Sequence, residues 1–396
     1  MTPTHTISSR LEPYATSVFT EITRLAVEHE AINLGQGFPD FDGPRFAIDA
    51  VAEAMAAGHN QYARPFGVLP LVEAIADWQA AGGRARPDPM SEVTVTSGCT
   101  EALCCCMLGL LEPGDEVVVF DPVYDAYPAG AALADATLRR VPLREPRGLD
   151  DPFWFDEAEL RAAFGPKTRA ILVNTPHNPT GKVFSNDELV LIASLAQAHD
   201  AFVIADEVYE RLVYEPAAHH SVASVPGLED RTITCSSLGK TFSFTGWKIG
   251  WAVAPAHLTA GIRAAHQYTV FCSATPLQHA AAVALRTGGE AVRQLAKDYK
   301  RRRDLLVEGL RRLDLRAYRP EAGYFVMAEH AHLGLGDDVT LTKRLIQELG
   351  VAVIPPTAFY ADRALGERLL RFAFCKRDEV IEAALERLAG IGTLSR

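Results

Sequence analysis

EVTVTSGCTEALCCCMLGLLEPGDEVVVF, residues 92–120, holds one full turn of an alternating pattern. EVTVTS (92–97) is rich in β-branched residues and reads as a strand, while TEALCCCMLGLL (100–111) is long enough for a helix. The turn EPGD closes that helix, and EVVVF (116–120) is the next strand. Working outward, RAILVN (169–174), FVIAD (202–206), TITCSS (232–237) and KIGWAVA (248–254) are further strands, and helical patterns fall at 124–134 and 185–199. Strands this continuously apolar need cover on both faces, so the alternation predicts an α/β fold with a largely parallel sheet between helices.

Past about residue 285 the pattern changes. A charged amphipathic helix over 289–313 precedes GYFVMAE, a helix over 339–349, VAVIPP, RLLRFAF and a last helix over 377–390, which read as a smaller α+β unit. The first forty or so residues have no sheet order of their own and are expected to wrap back onto that unit or onto a partner. A chain of 396 residues exceeds one typical core, and 48% apolar content is ample for two.

A net charge of −11 argues against nucleic acid and against an anionic membrane surface. The basic run Lys300-Arg301-Arg302-Arg303 lies between Asp298 and Asp304 and reads as a solvated helix face. MTPTHTISSR lacks the apolar segment of a signal peptide, and the longest apolar run is about half a membrane span. The seven cysteines show no zinc spacing, which predicts reduced, mostly buried thiols in a cytoplasmic protein and no metal.

Ligands of open α/β sheets bind beyond the carboxyl ends of the strands. Here those ends carry SGCTEA, DPVYDAY, TPHNPTGKV, Asp206 with EVYE, and LGK. SGCT is either an N-cap by Ser97 or Thr100, or an anion cradle made by the N–H groups of Cys99 and Thr100. HNPTG is a turn, or it aims the Asn178 amide at a ligand. Asp206 caps the following helix, or it faces a cationic ring. SSLGKTFSFTGWKIGW (236–251) keeps two lysines in a half-buried setting, which is costly unless they are paired or chemically needed. With a phosphate-bearing aromatic cofactor, one lysine forms a Schiff base and the other holds the phosphate. Arg371, in an alternating strand, offers a fork to a carboxylate or a structural ion pair.

These stretches, with NLGQGFPDFDGP (33–44), NQYARPFG (60–67), ADEVYERLVY (205–214), PEAGYF (320–325) and RFAFCK (371–376), run in one order along nearly the whole chain. In them the sequence resembles the fold-type I, pyridoxal-phosphate-dependent class I aminotransferases. The similar branch contains kynurenine aminotransferase/glutamine transaminase K, methionine and N-succinyldiaminopimelate aminotransferases. The resemblance implies a large domain over 46–285 around a mostly parallel seven-stranded sheet. It also implies a smaller α+β domain made of 1–45 and 286–396. Lys240 matches the lysine that binds the cofactor aldehyde, and Asp206 the partner of the pyridine nitrogen. Tyr209 and Asn178 match the groups on the ring oxygen, and Tyr124 the aromatic stacked on the ring. Ser237, Lys248, Cys99 and Thr100 match the phosphate cup. Tyr62 matches a tyrosine that reaches the phosphate of the neighbouring subunit, which implies a homodimer. Arg371 and Gly37 match the substrate carboxylate site, and Phe19 stands near the place of a substrate-side tryptophan in the kynurenine enzymes.

The implied reaction moves the amine of an L-amino acid to a 2-oxo acid by a ping-pong route. Lys248 stands where many relatives have arginine, and no second arginine is evident for a dicarboxylate. Neutral donors such as glutamine, methionine, kynurenine or aromatic amino acids are therefore expected. The alternatives are N-succinyldiaminopimelate as donor and cysteine-S-conjugate β-lyase chemistry as a side activity.

Overall fold

A computed structural model describes residues 7–15 and 17–394. The first strand, β1 (Ile32–Asn33), is short. The main sheet is built from β2 (Val93–Thr96), β3 (Glu116–Asp121), β4 (Thr137–Pro142), β5 (Thr168–Asn174), β6 (Phe202–Asp206), β7 (Thr232–Ser237) and β8 (Gly250–Val253). Its order is β2-β8-β7-β6-β5-β3-β4. The strands from β3 to β7 run parallel, and β8 lies antiparallel between β7 and β2. A three-stranded sheet joins β9 (Arg316–Ala317), β10 (Phe325–Glu329) and β12 (Leu369–Ala373), with β10 in the middle. The remaining strand, β11 (Val351–Ala352), pairs in parallel with β1 and so carries the N-terminal segment back onto the C-terminal third of the chain.

The period-two rule explains the layers. Val117 and Val119 of β3, Leu172 of β5 and Ile204 of β6 pack with Leu103, Cys106 and Met107 of the helix Cys99–Leu110. Their neighbours Val118, Phe120, Ile171, Val173 and Val203 point the other way, onto Leu189 and Ile192 of the helix Asn186–Ala198. Ser185 starts that helix with a capping box, its hydroxyl accepting from the Glu188 N–H while Glu188 accepts from the Ser185 N–H. Five of the cysteines are buried and all seven are unpaired, as the composition predicts. No described helix is long and apolar enough to cross a membrane.

The basic run departs from expectation. Lys300 and Arg301 are exposed, but Arg303 is buried. Its Nη1 donates to the Pro320 carbonyl at 3.1 Å, its Nε donates to Asp304 at 2.9 Å, and its guanidinium lies 4.9 Å from the Tyr214 ring centre. Arg302 covers Phe41 at 4.6 Å. The reason is geometric. Successive helical residues step by about 100°, so four in a row cannot share one face.

The two arginines should therefore behave differently in thermal unfolding followed by circular dichroism. Arg303→Ala is expected to cost about 2–3 kcal/mol, because it leaves the buried Pro320 carbonyl unpaired and empties the space beside the Tyr214 ring. Arg301→Ala, which removes half-exposed pairs with Asp298 and Asp378, should stay within about 1 kcal/mol of the parent. Equal losses would restore the solvated-face reading.

Candidate active site

The carboxyl ends of the main sheet's parallel strands open into a cavity of about 150 Å³, enough to take an aromatic ring. Cys99, Thr100, Tyr124, Asn178, Asp206, Tyr209, Ser237, Lys240 and Lys248 all line it. The strand-end argument requires this convergence, since all but Lys248 come from the carboxyl ends of five separate strands, and Lys248 leads into β8.

One end is a turn followed by a helix. After β2 the chain turns at Gly98, whose φ of +84° is left-handed, and the helix Cys99–Leu110 begins. The first N–H groups of a helix have no intrahelical acceptor, so this end favours an anion. A Cβ on Gly98 would sit 3.0 Å from the Lys248 ammonium, and one on Gly250 would meet Gly98 C at 2.5 Å and Cys99 N at 2.6 Å. The two glycines therefore let β8 and the turn interlock, and they lay the Lys248 ammonium against the helix start. Ser237 closes β7 beside them.

Asp206 forms the floor. It is the last residue of β6 and is 4% exposed. One carboxylate oxygen accepts from the Tyr127 hydroxyl at 2.7 Å; the other accepts from the Val208 N–H at 3.3 Å and faces the Cys99 thiol at 3.7 Å. Burial raises its pKa, and the Tyr127 hydrogen bond opposes that rise. Such a carboxylate has been taken out of water without a cationic partner in contact, so a protonated ring nitrogen would complete it. Asn174 donates to the Asp206 carbonyl at 2.9 Å and accepts from the Asn178 N–H at 2.7 Å. That bond fixes Asn178, whose buried side-chain oxygen has no partner among the described residues.

Lys240 stands opposite. Its Nζ donates to the Tyr324 hydroxyl at 2.6 Å and to the Gly37 carbonyl at 3.4 Å, while the Tyr324 hydroxyl donates to that same carbonyl at 2.6 Å. The Tyr209 ring packs edge-on against Tyr324 at 5.2 Å. Burial lowers the pKa of Lys240 and makes the neutral amine easier to reach. Burial likewise raises that of Tyr209, which stays a neutral donor.

Arg371 lies beside this group in β12 and is 2% exposed. Its guanidinium is stacked among Phe325 at 4.3 Å, Phe359 at 5.0 Å and Phe19 at 5.2 Å. Nη2 donates to the Gly35 carbonyl at 2.8 Å, and Nε has no partner among the described residues. Burial lowers its pKa to about 10. Gly35–Gly37 thus bridges the two cations, with Arg371 on Gly35 and Lys240 on Gly37.

Tyr62 is not brought to this cavity by its own chain. It is 85% exposed and packs edge-on against Phe271 at 5.3 Å. Two residues that touch the central groups escaped the sequence reading, Tyr127 on Asp206 and Tyr324 on Lys240. Both lie in stretches singled out there, DPVYDAY and PEAGYF. A polar aromatic at a strand end was the available signal.

These residues fit pyridoxal phosphate: donors for an anion at one end, a dry carboxylate for a ring nitrogen, an unpaired amide and a lysine amine. Comparison with known proteins agrees. The family model for aminotransferase class I and II matches residues 29–388. The chain is 44% identical over 391 residues to the probable N-succinyldiaminopimelate aminotransferase of Mycobacterium tuberculosis, covering 96% of this chain and 97% of that one. It is 40% identical over 380 residues to the methionine aminotransferase of Escherichia coli, with 96% and 97% covered. The solved M. tuberculosis N-succinyldiaminopimelate aminotransferase superposes with a TM-score of 0.94 over 97% of this chain and 99% of that one. The aspartate aminotransferase of Thermus thermophilus solved with maleate, 33% identical, gives 0.88 over 98% of this chain and 100% of that one. With its sheet and nearly its whole length matched in this way, the chain belongs to the class I and II aminotransferases and is a pyridoxal-phosphate-dependent aminotransferase of fold type I.

Proposed function

We propose that the enzyme takes its amino group from L-amino acids with neutral side chains, such as methionine, glutamine, kynurenine and aromatic amino acids, and passes it to a 2-oxo acid in a second half-reaction. Arg371 carries this reading. A buried guanidinium with no carboxylate partner among the described residues awaits one from outside, and the α-carboxylate of an amino acid supplies it. Arg371 stands beside the cavity rather than in its lining, and Phe19 and Phe359, packed on its guanidinium, offer an apolar surface next to it.

The cofactor supplies an aldehyde that reacts with amines and a ring that takes up the electrons of the Cα–H bond. The chain's own residues do the rest. Cys99 and Thr100 N–H, Ser237 and Lys248 anchor the phosphate, and Tyr124 covers one ring face. Asp206 holds the proton on the ring nitrogen. Asn178 and Tyr209 fix the ring oxygen. Lys240 Nζ moves the proton at the substrate Cα, its pKa lowered by burial so that it can accept one. Tyr62, exposed on its own subunit, reaches the phosphate of a second copy in a homodimer. A second reading, N-succinyldiaminopimelate as donor, is favoured by the 44% identity to the mycobacterial enzyme.

A half-reaction screen separates the two. The cofactor-loaded enzyme is mixed with one amino acid and no acceptor, and the cofactor absorbance is followed before and after a 2-oxo acid is added. Methionine, glutamine and aromatic amino acids should convert it, and aspartate should be at least about tenfold slower. Aspartate at parity would remove the neutral-donor assignment. N-succinyldiaminopimelate faster than every neutral donor would establish the second reading.

Arg371→Leu should lower kcat/KM for every donor by about 100-fold or more while leaving cofactor binding unchanged, since the lost group is a desolvated fork for a carboxylate. An unaltered kcat/KM would refute the carboxylate role. Asp206→Asn should still take up cofactor, yet slow the half-reaction by more than about 100-fold, because a neutral amide does not hold the ring proton. A half-reaction within about threefold of the parent would remove that role.

A further inference from the structure

The helix that begins the anion site carries a carboxylate in its first turn. Glu101 is only two residues past Cys99, and a bare negative charge there would oppose any phosphate held by the Cys99 and Thr100 amides. Its surroundings answer this. One Glu101 oxygen accepts from the Ser97 N–H, in the turn that shapes the site. The other lies 2.6 Å from Nδ1 of His266, a residue with no exposed surface. Nε2 of the same ring is 2.9 Å from the Pro65 carbonyl. A carbonyl only accepts, so Nε2 carries a proton, and Nδ1 faces a carboxylate. Burial works against a charged ring, but the hydrogen bond and charge of Glu101 outweigh it and hold the His266 pKa above the usual imidazole value.

Two further contacts complete the group. The Thr269 hydroxyl lies 3.4 Å from the same Glu101 oxygen. The Cys105 thiol also lies 3.4 Å from it, and burial and Glu101 raise that thiol's pKa so that it stays a protonated donor to the carboxylate. The meeting of these side chains is built into the backbone. His266 belongs to the helix Ala256–Thr269, which crosses Cys99–Leu110 so closely that a Cβ on Gly109 would lie 2.2 Å from the Gly261 carbonyl oxygen.

We propose that Glu101 and His266 form a buried positioning pair for the cofactor phosphate. Glu101 sets the Ser97–Thr100 turn, and His266 cancels its charge and ties it to the Pro65 carbonyl, in the stretch that carries Tyr62. Neither residue of the pair lines the cavity. The pair acts through the turn of its own subunit and, by way of the 62–67 stretch and the Phe271 loop, on the surface that Tyr62 presents to a second copy. The proposal rests on the reading of Cys99 and Thr100 as the phosphate cup.

The test compares binding of pyridoxal phosphate and of pyridoxal, which lacks the phosphate, to the cofactor-free protein by equilibrium dialysis. The parent should prefer the phosphate form strongly. His266→Gln leaves Glu101 charged and without a cationic partner among the described residues, so pyridoxal phosphate binding should weaken by more than about tenfold and pyridoxal binding should be unchanged. The double variant Glu101→Gln/His266→Gln removes both charges and should return to within about threefold of the parent. His266→Asn carries the same expectation as His266→Gln, so a fold lost in one variant leaves the other to decide. Unchanged binding in both single variants, equal weakening for the two ligands, or a double variant no better than the single one overturns the pair's role. A parent that binds the two ligands alike instead overturns the phosphate-cup reading beneath it.

Discussion

The structure turns on one constraint: ionisable groups have been taken out of water without being paired to one another. Asp206, Lys240 and Arg371 all sit in one region, and each has its pKa moved by burial toward its neutral form. A stability-driven core would bring these charges into contact or replace them with apolar residues. Here each is steadied by neutral groups instead. Tyr127 holds Asp206, Tyr324 and Gly37 hold Lys240, and Gly35 with three phenylalanines holds Arg371. The cost of keeping them apart is recovered only when a ligand brings a cationic ring, a reactive carbonyl and a carboxylate. An unfilled requirement of that kind is what distinguishes a site from a structural ion pair such as Arg140 with Asp121, 2.9 Å apart.

The sheet supports this arrangement because its parallel strands end together. β5, β6 and β7 lie side by side, so Asn174, Asp206 and Cys235 fall in one row and the residues just beyond them share one rim. The row is rigid because both faces are filled, with Val203 and Ala205 on one side and Phe202 and Ile204 on the other. A carboxylate at the end of such a strand cannot swing out to water, and its hydrogen bonds are made with fixed partners.

That logic also explains what was legible in the sequence. The central strands are runs of apolar residues with a polar residue at the end, so their positions, their burial and the convergence of Asn178, Asp206 and Lys240 could be read directly. Lys248 and the Gly98 turn were readable as a phosphate site only as a set. The family resemblance then attached a chemistry to positions the pattern had already singled out. Contacts across long sequence separations were not legible. Tyr127 and Tyr324 sit 79 and 84 residues from the groups they hold, and an aromatic near a turn looks the same whether its hydroxyl is used or not. The two-residue strands β1, β9 and β11 are too short for periodicity to register. The burial of Arg303 was missed because a run of like charges was read as one surface, although a helix spreads it around the axis.

Glu101 and His266 follow the same rule from the opposite direction. They are a carboxylate and an imidazole whose pKa is held up by that carboxylate, in direct contact, and they sit behind the site rather than in it. A carboxylate in the first turn of a phosphate-facing helix favours the helix dipole but repels the ligand, and both effects come from the same charge. Pairing it with a buried imidazolium keeps the hydrogen bond to the Ser97 N–H and cancels the field at the cofactor's end. The pair is neutral as a unit, so it shapes the turn without competing with Lys248 for the anion. Charges left unpaired face the ligand, and those that would disturb it are paired out of reach. The closeness of the Gly109–Gly261 crossing lets the second kind lie directly beneath the first.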